Sequence, residues 1–361
     1  MKIIQIIPMF KLAGAEVMCE NLCIALKNAG ENVIAVSFYS EKTAITERLE
    51  KAGVRIEYLD KKLGFDASII FKLVRLFKRE KPDVVHTHIG GARYALPIAT
   101  FCRIPVKVHT VHNIAQKEQE YAGKIINNLM FNYCSVVPVA LSEEVKKTIE
   151  EVYKLPAKKI PVIFNGINLS KCQVKNDYTK KSNFKILHIG RFMDVKNHSL
   201  ILKSFAMFAD KHPDARLQLL GDGELKETMM QLAKELNIVD YVEFAGLQSN
   251  VYPWLHDADL FILPSKFEGM PMTLIEAMGT GLPIIASDVG GIPDMLTSKK
   301  DALLIDPNEK DIIETLEFFY SNEGKRKELG QNALRKSVMF SSQTMAKKYI
   351  DVYTKISEVR V

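Results

Sequence analysis

Two carboxylates eight residues apart, Glu268 and Glu276, stand in the segment DLFILPSKFEGMPMTLIEAMGTGLPIIASDVGG, residues 259–291. A buried strand over 260–263 is expected to run into a Gly/Pro loop and then a short helix from about Pro271 to Met278. Pro271 suits the first helical position, where the N–H it lacks would have no partner anyway. The loop and first turn (Gly269, Met270, Pro271, Met272, Thr273) would offer unpaired N–H groups and the positive end of the helix dipole, which together make an anion site. Glu276 is flanked by Leu274, Ile275, Ala277 and Met278. A helical glutamate ordinarily belongs to a solvated face, but this helix has almost no polar face. A carboxylate buried there needs hydrogen-bond donors, and the vicinal hydroxyls of a sugar or ribose would supply them.

A second group is His188-Ile189-Gly190-Arg191-Phe192-Met193-Asp194-Val195-Lys196-Asn197. Gly190 is expected to end a strand and Lys196 to open the next helix. Arg191, with its planar fork, and Lys196, a point charge, can converge on one phosphate; away from a sheet rim they would read as two solvated surface cations. Gly221-Asp222-Gly223 follows another strand and begins like a dinucleotide fingerprint. Lys226 stands where the third glycine is required, so an NAD site is not supported. Gly14, in Leu12-Ala13-Gly14-Ala15-Glu16, either lets backbone approach a ligand closely or is a plain turn glycine. His86, His88, His109 and His112 gather at two adjacent strand ends, and three readings stay open. Metal ligation has an H-x-H spacing but no accompanying carboxylate cluster, so no metal is expected. The others are satisfied structural histidines and substrate contact, for which His112 is preferred because it lies beyond the strand.

The scaffold that would position these residues is written in alternation. Short apolar β-branched runs at 2–8, 32–38, 54–59, 83–87, 106–111, 135–139 and 161–164 alternate with helical patterns near 15–29, 43–52, 67–80, 92–102, 121–132 and 142–152. The pattern restarts at 184–189, 216–220, 241–244, 259–263, 283–286 and 302–305. Strands buried on both faces with helical crossovers mean parallel, doubly wound sheets, and two series mean two Rossmann-like α/β domains; special residues on both rims point to sheets that face each other across a cleft. The expected boundaries are 1–167 and 168–340, with the polar stretch 168–183 as linker and a final helix, 341–361, crossing back onto the first domain. Ligands of such sheets bind at the strands' carboxyl ends, where all the residues above fall.

The composition of the 361 residues, 47% hydrophobic and 25% charged, excludes disordered, collagen-like and disulfide-stapled classes. Five scattered cysteines, odd in number, point to a reducing cytoplasm; Cys19 and Cys23 share a helix face, lack the partners of a metal half-site and read as buried thiols. The opening MKIIQIIP fits a buried first strand better than a signal peptide, and no run approaches the roughly 18 apolar residues of a membrane span. Net charge is +6, divided as 24 Lys+Arg against 17 Asp+Glu over residues 1–165 and 25 against 26 over the rest. The basic half is expected to face something anionic.

On these residues the sequence resembles the retaining nucleotide-sugar glycosyltransferases of family 4, of the bacterial surface and exopolysaccharide type, which adopt the GT-B fold. The E-x7-E pattern is Glu268…Glu276, the G-R-x4-K-N pattern Gly190–Asn197, the hinge element Asn165-Gly166-Ile167-Asn168, the G-G-x-P element Gly290–Pro293 and the T-x-H element Thr110-Val111-His112. The resemblance implies that Arg191 and Lys196 hold the donor diphosphate, Glu276 the ribose hydroxyls and Glu268 the transferred sugar. It gives the backbone around Gly269–Thr273 to the phosphates, Gly246 and Leu247 to the base, and His112 to the donor sugar. It further implies a metal-independent hexosyltransferase without cofactor, with a UDP-sugar as first expectation and a glycan or lipid-diphosphate acceptor in polysaccharide biosynthesis. Ala13-Gly14 departs from the usual Gly-Gly, Asp294 stands for a common Glu and Ala302 for a frequent Gly.

The helix Ile69–Lys81 carries Lys72, Arg75, Lys78 and Arg79 on one side and Ile69, Leu73, Leu76 and Phe77 near the other. Either it is a core-facing helix with a solvated basic face, or it touches anionic lipid headgroups. The expected location is cytoplasmic, peripheral on the inner face of the cell membrane, with no nucleic-acid partner. The competing classes are a sugar-nucleotide epimerase of the same fold and a non-catalytic two-domain sugar- or nucleotide-binding protein.

Overall fold

The computed structural model describes residues 1–64, 66–118, 120–180 and 182–358. Lys181 of the expected linker and residues 359–361 of the expected final segment lie outside the described residues. The chain forms two compact units, 1–167 with 340–361, and 168–339.

In the first unit six parallel strands, β1 (Lys2–Ile7), β2 (Asn32–Ser37), β3 (Arg55–Tyr58), β4 (Val84–His88), β5 (Val106–Val111) and β6 (Val137–Ala140), lie in the order 3-2-1-4-5-6. The second unit repeats the plan with β7 (Phe184–Ile189), β8 (Ala215–Leu220), β9 (Val242–Gly246), β10 (Leu260–Leu263), β11 (Ile284–Ser287) and β12 (Leu303–Ile305), ordered 9-8-7-10-11-12. In each sheet the chain reverses its direction of winding between the first and fourth strand, and such a switch point leaves a crevice at the strand ends. Twelve of the thirteen expected strands form. The thirteenth, 161–164, makes only a single bridge, Val162 with Ala140, the last residue of β6, beyond which the neighbouring chain turns into helix Glu143–Tyr153.

The pleat explains how the first unit sorts its side chains, since successive residues of a strand point to opposite faces. Ile4 and Ile6 of β1, with Ile34, Val36 and Val85, join a core with Ile69, Leu73 and Leu76 of helix Ser68–Glu80 and Ala95 and Ala99 of helix Ala92–Phe101. Gln5 points the other way, to helix Ser342–Glu358, where its Nε2 meets the Tyr353 hydroxyl at 3.3 Å. That helix follows the second unit in sequence yet packs on helix Gly14–Asn28 of the first. Tyr349 and Tyr353 are completely buried there.

Their hydroxyls end a chain of polar contacts inside the core: Tyr353 to His86 Nδ1 at 2.7 Å, His86 Nε2 to Thr110 at 2.8 Å, and Thr110 to Tyr349 at 2.7 Å. Tyr353→Phe would leave a buried imidazole nitrogen and an amide short of a partner. It is expected to cost about 1–3 kcal/mol. Chemical denaturation with a probe in the first unit checks this; an unchanged midpoint would mean the chain contributes nothing.

Candidate active site

The second sheet's rim is built by backbone segments at minimum separation. A β-carbon on Gly221 would lie 2.1 Å from the Gly190 carbonyl oxygen, and one on Gly223 2.5 Å from that of Phe192. Gly190 N–H donates to Leu220 O at 2.9 Å and Phe192 N–H to Asp222 O at 3.0 Å. The Gly-Asp-Gly that falls short of a dinucleotide fingerprint thus serves as the seat of the Gly190–Phe192 loop.

Lys196 does not open a helix as expected. It sits in a single 3-10 turn, Asp194–Lys196, and Asn197 in the left-handed region (φ 60°) separates it from helix His198–Lys211. Asn197 Nδ2 donates to Pro264 O at 3.2 Å and Lys266 N–H to Val195 O at 2.9 Å, tying the loop after β7 to the loop after β10. Across that seam Lys196 Nζ and Ser265 Oγ both donate to Glu268 Oε1, each at 2.6 Å. Ser265 is fully buried, and nothing in the sequence singled it out. Behind the pair, Gly290 (φ 58°) would place a β-carbon 1.9 Å from the Glu268 carbonyl oxygen, which instead accepts the Gly291 N–H at 2.9 Å. Arg191 differs from Lys196: it is exposed, and among the described residues its guanidinium makes no hydrogen bond or ion pair.

Helix Met272–Thr280 starts one residue later than expected, because Pro271 has extended backbone (ψ 121°) and forms the cap; Gly281 in the left-handed region (φ 77°) ends it. Among the described residues the N–H groups of Gly269, Met272 and Thr273 donate to nothing in the protein. Glu276, 8% exposed, has no hydrogen-bond partner for its carboxylate among the described residues. Burial pushes its pKa up to about 8 against a weaker pull from Lys171. Gly246 closes β9 with φ 70° and Leu247 beyond it is exposed.

In the first unit the four histidines do not form one cluster. His86 and His88 share one face of β4, whereas His109 points through the opposite face of β5 onto Phe131. His112 follows β5 directly and joins His88, with His88 Nδ1 3.0 Å from His112 Nε2. Burial holds His86 and His88 well below the usual imidazole range and His109 and His112 down to about 4 and about 3, so all four are neutral at pH 7. Their tautomers can then be reasoned from partners. His88 Nε2 donates to Gln5 Oε1 at 2.9 Å, which leaves His88 Nδ1 as acceptor and His112 Nε2–H as donor. Glu118, whose carboxyl burial raises to about 8, accepts the backbone N–H groups of His112 and Asn113 at 3.2 and 3.1 Å. No group of three or more His, Cys, Asp and Glu among the described residues could hold a metal ion. Gly14 opens helix Gly14–Asn28, exposed, with open space where a β-carbon would be.

Glu276 and Glu118 share a consequence for stability. Both keep protons in the folded state that the unfolded chain has released above about pH 4.5, so what these two carboxyls contribute to stability falls as pH rises from about 5 to about 8. Glu276→Gln is expected to melt higher than the parent at pH 8 and to converge with it near pH 5. Equal melting differences at both pH values would remove the buried-acid account.

Comparison with known proteins matches residues 173–336 to the model for glycosyl transferases group 1 and residues 12–171 to that for Glycosyltransferase Family 4. The UDP-Gal:alpha-D-GlcNAc-diphosphoundecaprenol alpha-1,3-galactosyltransferase of Escherichia coli is 30% identical over 68% of this chain and 68% of its own. The N-acetyl-alpha-D-glucosaminyl L-malate synthase of Bacillus anthracis is 29% identical over 80% of this chain and 79% of its own. In fold, Anabaena Alr3699/HepE, solved in complex with UDP-glucose, matches with a TM-score of 0.84 at 18% identity, covering 98% of this chain and 99% of that one. With two parallel sheets of one winding order, and a carboxylate, a cation and free N–H groups along the rim of the second, the chain belongs to the GT-B glycosyltransferases.

Proposed function

We propose that the enzyme transfers a hexosyl group from a UDP-sugar to a glycan or lipid-diphosphate-linked acceptor, with retention at the anomeric carbon and without a metal. The observation that carries the donor reading is Glu276: a buried carboxyl on an apolar helix, with no hydrogen-bond partner among the described residues. A ribose diol fits it as a pair of donors. In this reading Arg191 and the N–H groups of Gly269, Met272 and Thr273 take the diphosphate. Lys196, held on Glu268, stands between carboxylate and phosphate, Gly246 and Leu247 meet the base, and His112 meets the sugar.

The bond between anomeric carbon and phosphate oxygen breaks with its electron pair leaving on UDP, and the acceptor oxygen attacks from the same face. Its proton passes to the departing phosphate. Arg191 and the N–H groups stabilise the charge that develops there. Glu268 suits positioning better than nucleophilic attack, since Lys196 and Ser265 already engage one of its oxygens. The E. coli relative is named for transfer from UDP-Gal to a diphosphoundecaprenol-linked sugar, which supports a lipid-linked acceptor. The B. anthracis relative is named for a malate product, so a small carboxylic acid is the second acceptor class to assay.

Thermal shift and turnover with UDP-, GDP- and ADP-sugars test the donor. A UDP-sugar is expected to stabilise the enzyme, and Arg191→Ala to lower kcat/KM by about 10²–10³. Because the diol favours the ionised carboxyl, UDP binding at pH 7 should release about one proton, seen as buffer-dependent heats in calorimetry and abolished in Glu276→Gln. Conversion of donor to its epimer without acceptor would replace transfer by epimerisation. No response to any nucleotide-sugar would leave a binding protein.

A further inference from the structure

Helix Tyr121–Tyr133 is built inside out. The residues it buries at i, i+4, i+8 are Gly123, Asn127 and Phe131. Those it turns to solvent at the same spacing are Tyr121, Ile125, Leu129 and Tyr133, which are 80, 46, 47 and 79% exposed. A helix that only had to cover a sheet would be arranged the other way round. The stripe runs the helix's whole length, about 18 Å at 1.5 Å per residue.

The neighbouring elements continue it. Helix Tyr121–Tyr133 packs on helix Ala92–Phe101, and that on helix Ser68–Glu80. Phe101 is 74% and Phe71 76% exposed on them. The same three helices carry six cations, Lys72, Arg75, Lys78, Arg79, Arg93 and Lys124, against one acid, Glu80. Glu80 is already paired with Arg55 and Arg79. The helices packed on Tyr349 and Tyr353's side of the sheet, Gly14–Asn28, Ala44–Lys51 and Ser342–Glu358, have six basic and six acidic residues. None of their large apolar side chains is exposed. The three helices thus differ from that side both in apolar exposure and in charge, and helix Glu143–Tyr153, which packs on helix Tyr121–Tyr133 with two basic and four acidic residues, bounds the patch.

We propose that this three-helix layer is the face by which the enzyme lies on an anionic lipid bilayer. The tyrosines at either end of the stripe would sit at headgroup level, Ile125, Leu129 and Phe101 would enter the acyl boundary, and the cations would meet lipid phosphates. The charge pattern argues against a second copy of the chain, because a two-fold interface would set the six cations against their own images. The inference goes beyond the reading of the donor site and does not depend on it.

Co-sedimentation with vesicles tests it. The wild type should pellet with phosphatidylglycerol-containing vesicles, weakly with pure phosphatidylcholine, and less as salt rises. The double variant Ile125→Ser/Leu129→Ser should lose at least about tenfold in partitioning. Lys78→Gln/Lys124→Gln should lose the salt-dependent part. Both should keep the parent's melting temperature and its hydrolysis of a soluble nucleotide-sugar, which separates docking from folding and from the donor site. Absence of wild-type binding, or binding indifferent to anionic lipid, would overturn the proposal. So would a sedimentation-velocity dimer that the apolar variant dissolves while vesicle binding is unchanged.

Discussion

The carbonyl oxygen of Glu268 occupies the place where any side chain at position 290 would have to begin. Much of the second unit's rim follows from that one approach. With Gly290 and Gly291 pressed against its backbone, the Glu268 loop has little freedom, and its carboxylate is held where Ser265 and Lys196 can both reach one oxygen. Lys196 is in turn on the loop that Gly221 and Gly223 seat from the other side. Loops following β7, β8, β10 and β11 are thus locked by backbone contact, with side chains added last. Glycine contacts of this kind make a rim rigid without using side-chain entropy, and rigidity is what stabilising a developing charge would require under the proposed reaction.

The first unit reaches its order by another route. Its core contains histidines and tyrosines, and on the side of the sheet under helix Ser342–Glu358 their burial is tolerable because Gln5, His86, His88, Thr110, Tyr349 and Tyr353 hydrogen-bond to one another. Gln5 is central: one end of its amide accepts from His88 and the other meets Tyr353. Turning that amide over would reverse the donor and acceptor roles along both branches. The proton positions at His112, which lies at the rim, are thereby linked to a tyrosine on helix Ser342–Glu358, contributed by chain that has passed through the other unit.

Much of this was legible in the sequence, and the remainder failed for reasons that can be named. Parallel strands buried on both faces announce themselves as apolar runs, so twelve elements stand close to where the pattern put them. Residues 161–164 look like a strand locally, but pairing is a property of the neighbour. The E-x7-E and G-R-x4-K-N patterns drew attention to Glu268, Glu276, Arg191 and Lys196. They said nothing of Ser265, an ordinary serine whose role comes from lying beside a carboxylate. Lys196 stops short of the helix that the pattern expects there because Asn197 is one of the few residues that adopts the left-handed region readily, and the sequence does not say when it will. Position along the strands groups the four histidines. Pleating, which decides the face, separates His109 from the others.

Helix Tyr121–Tyr133 marks the deeper limit of pattern reading. An i, i+4 stripe of Tyr, Ile, Leu and Tyr is the ordinary signature of a core-facing side, and periodicity carries no sign that tells inside from outside. Only packing reveals that Gly123 and Asn127 face inward. With Gly123 and Asn127 buried in their place, apolar area has been moved to the surface at a cost in solubility that folding alone does not require. The excess of seven positive charges over residues 1–165 has the same character. Counted along the chain it is a bulk property; placed on the structure, five of the seven lie on the three helices that also expose the aromatic and aliphatic residues. Repulsion among those cations opposes their gathering, and exposed apolar groups gain nothing from water. Both costs are offset at once by a partner that is anionic on its surface and apolar beneath it.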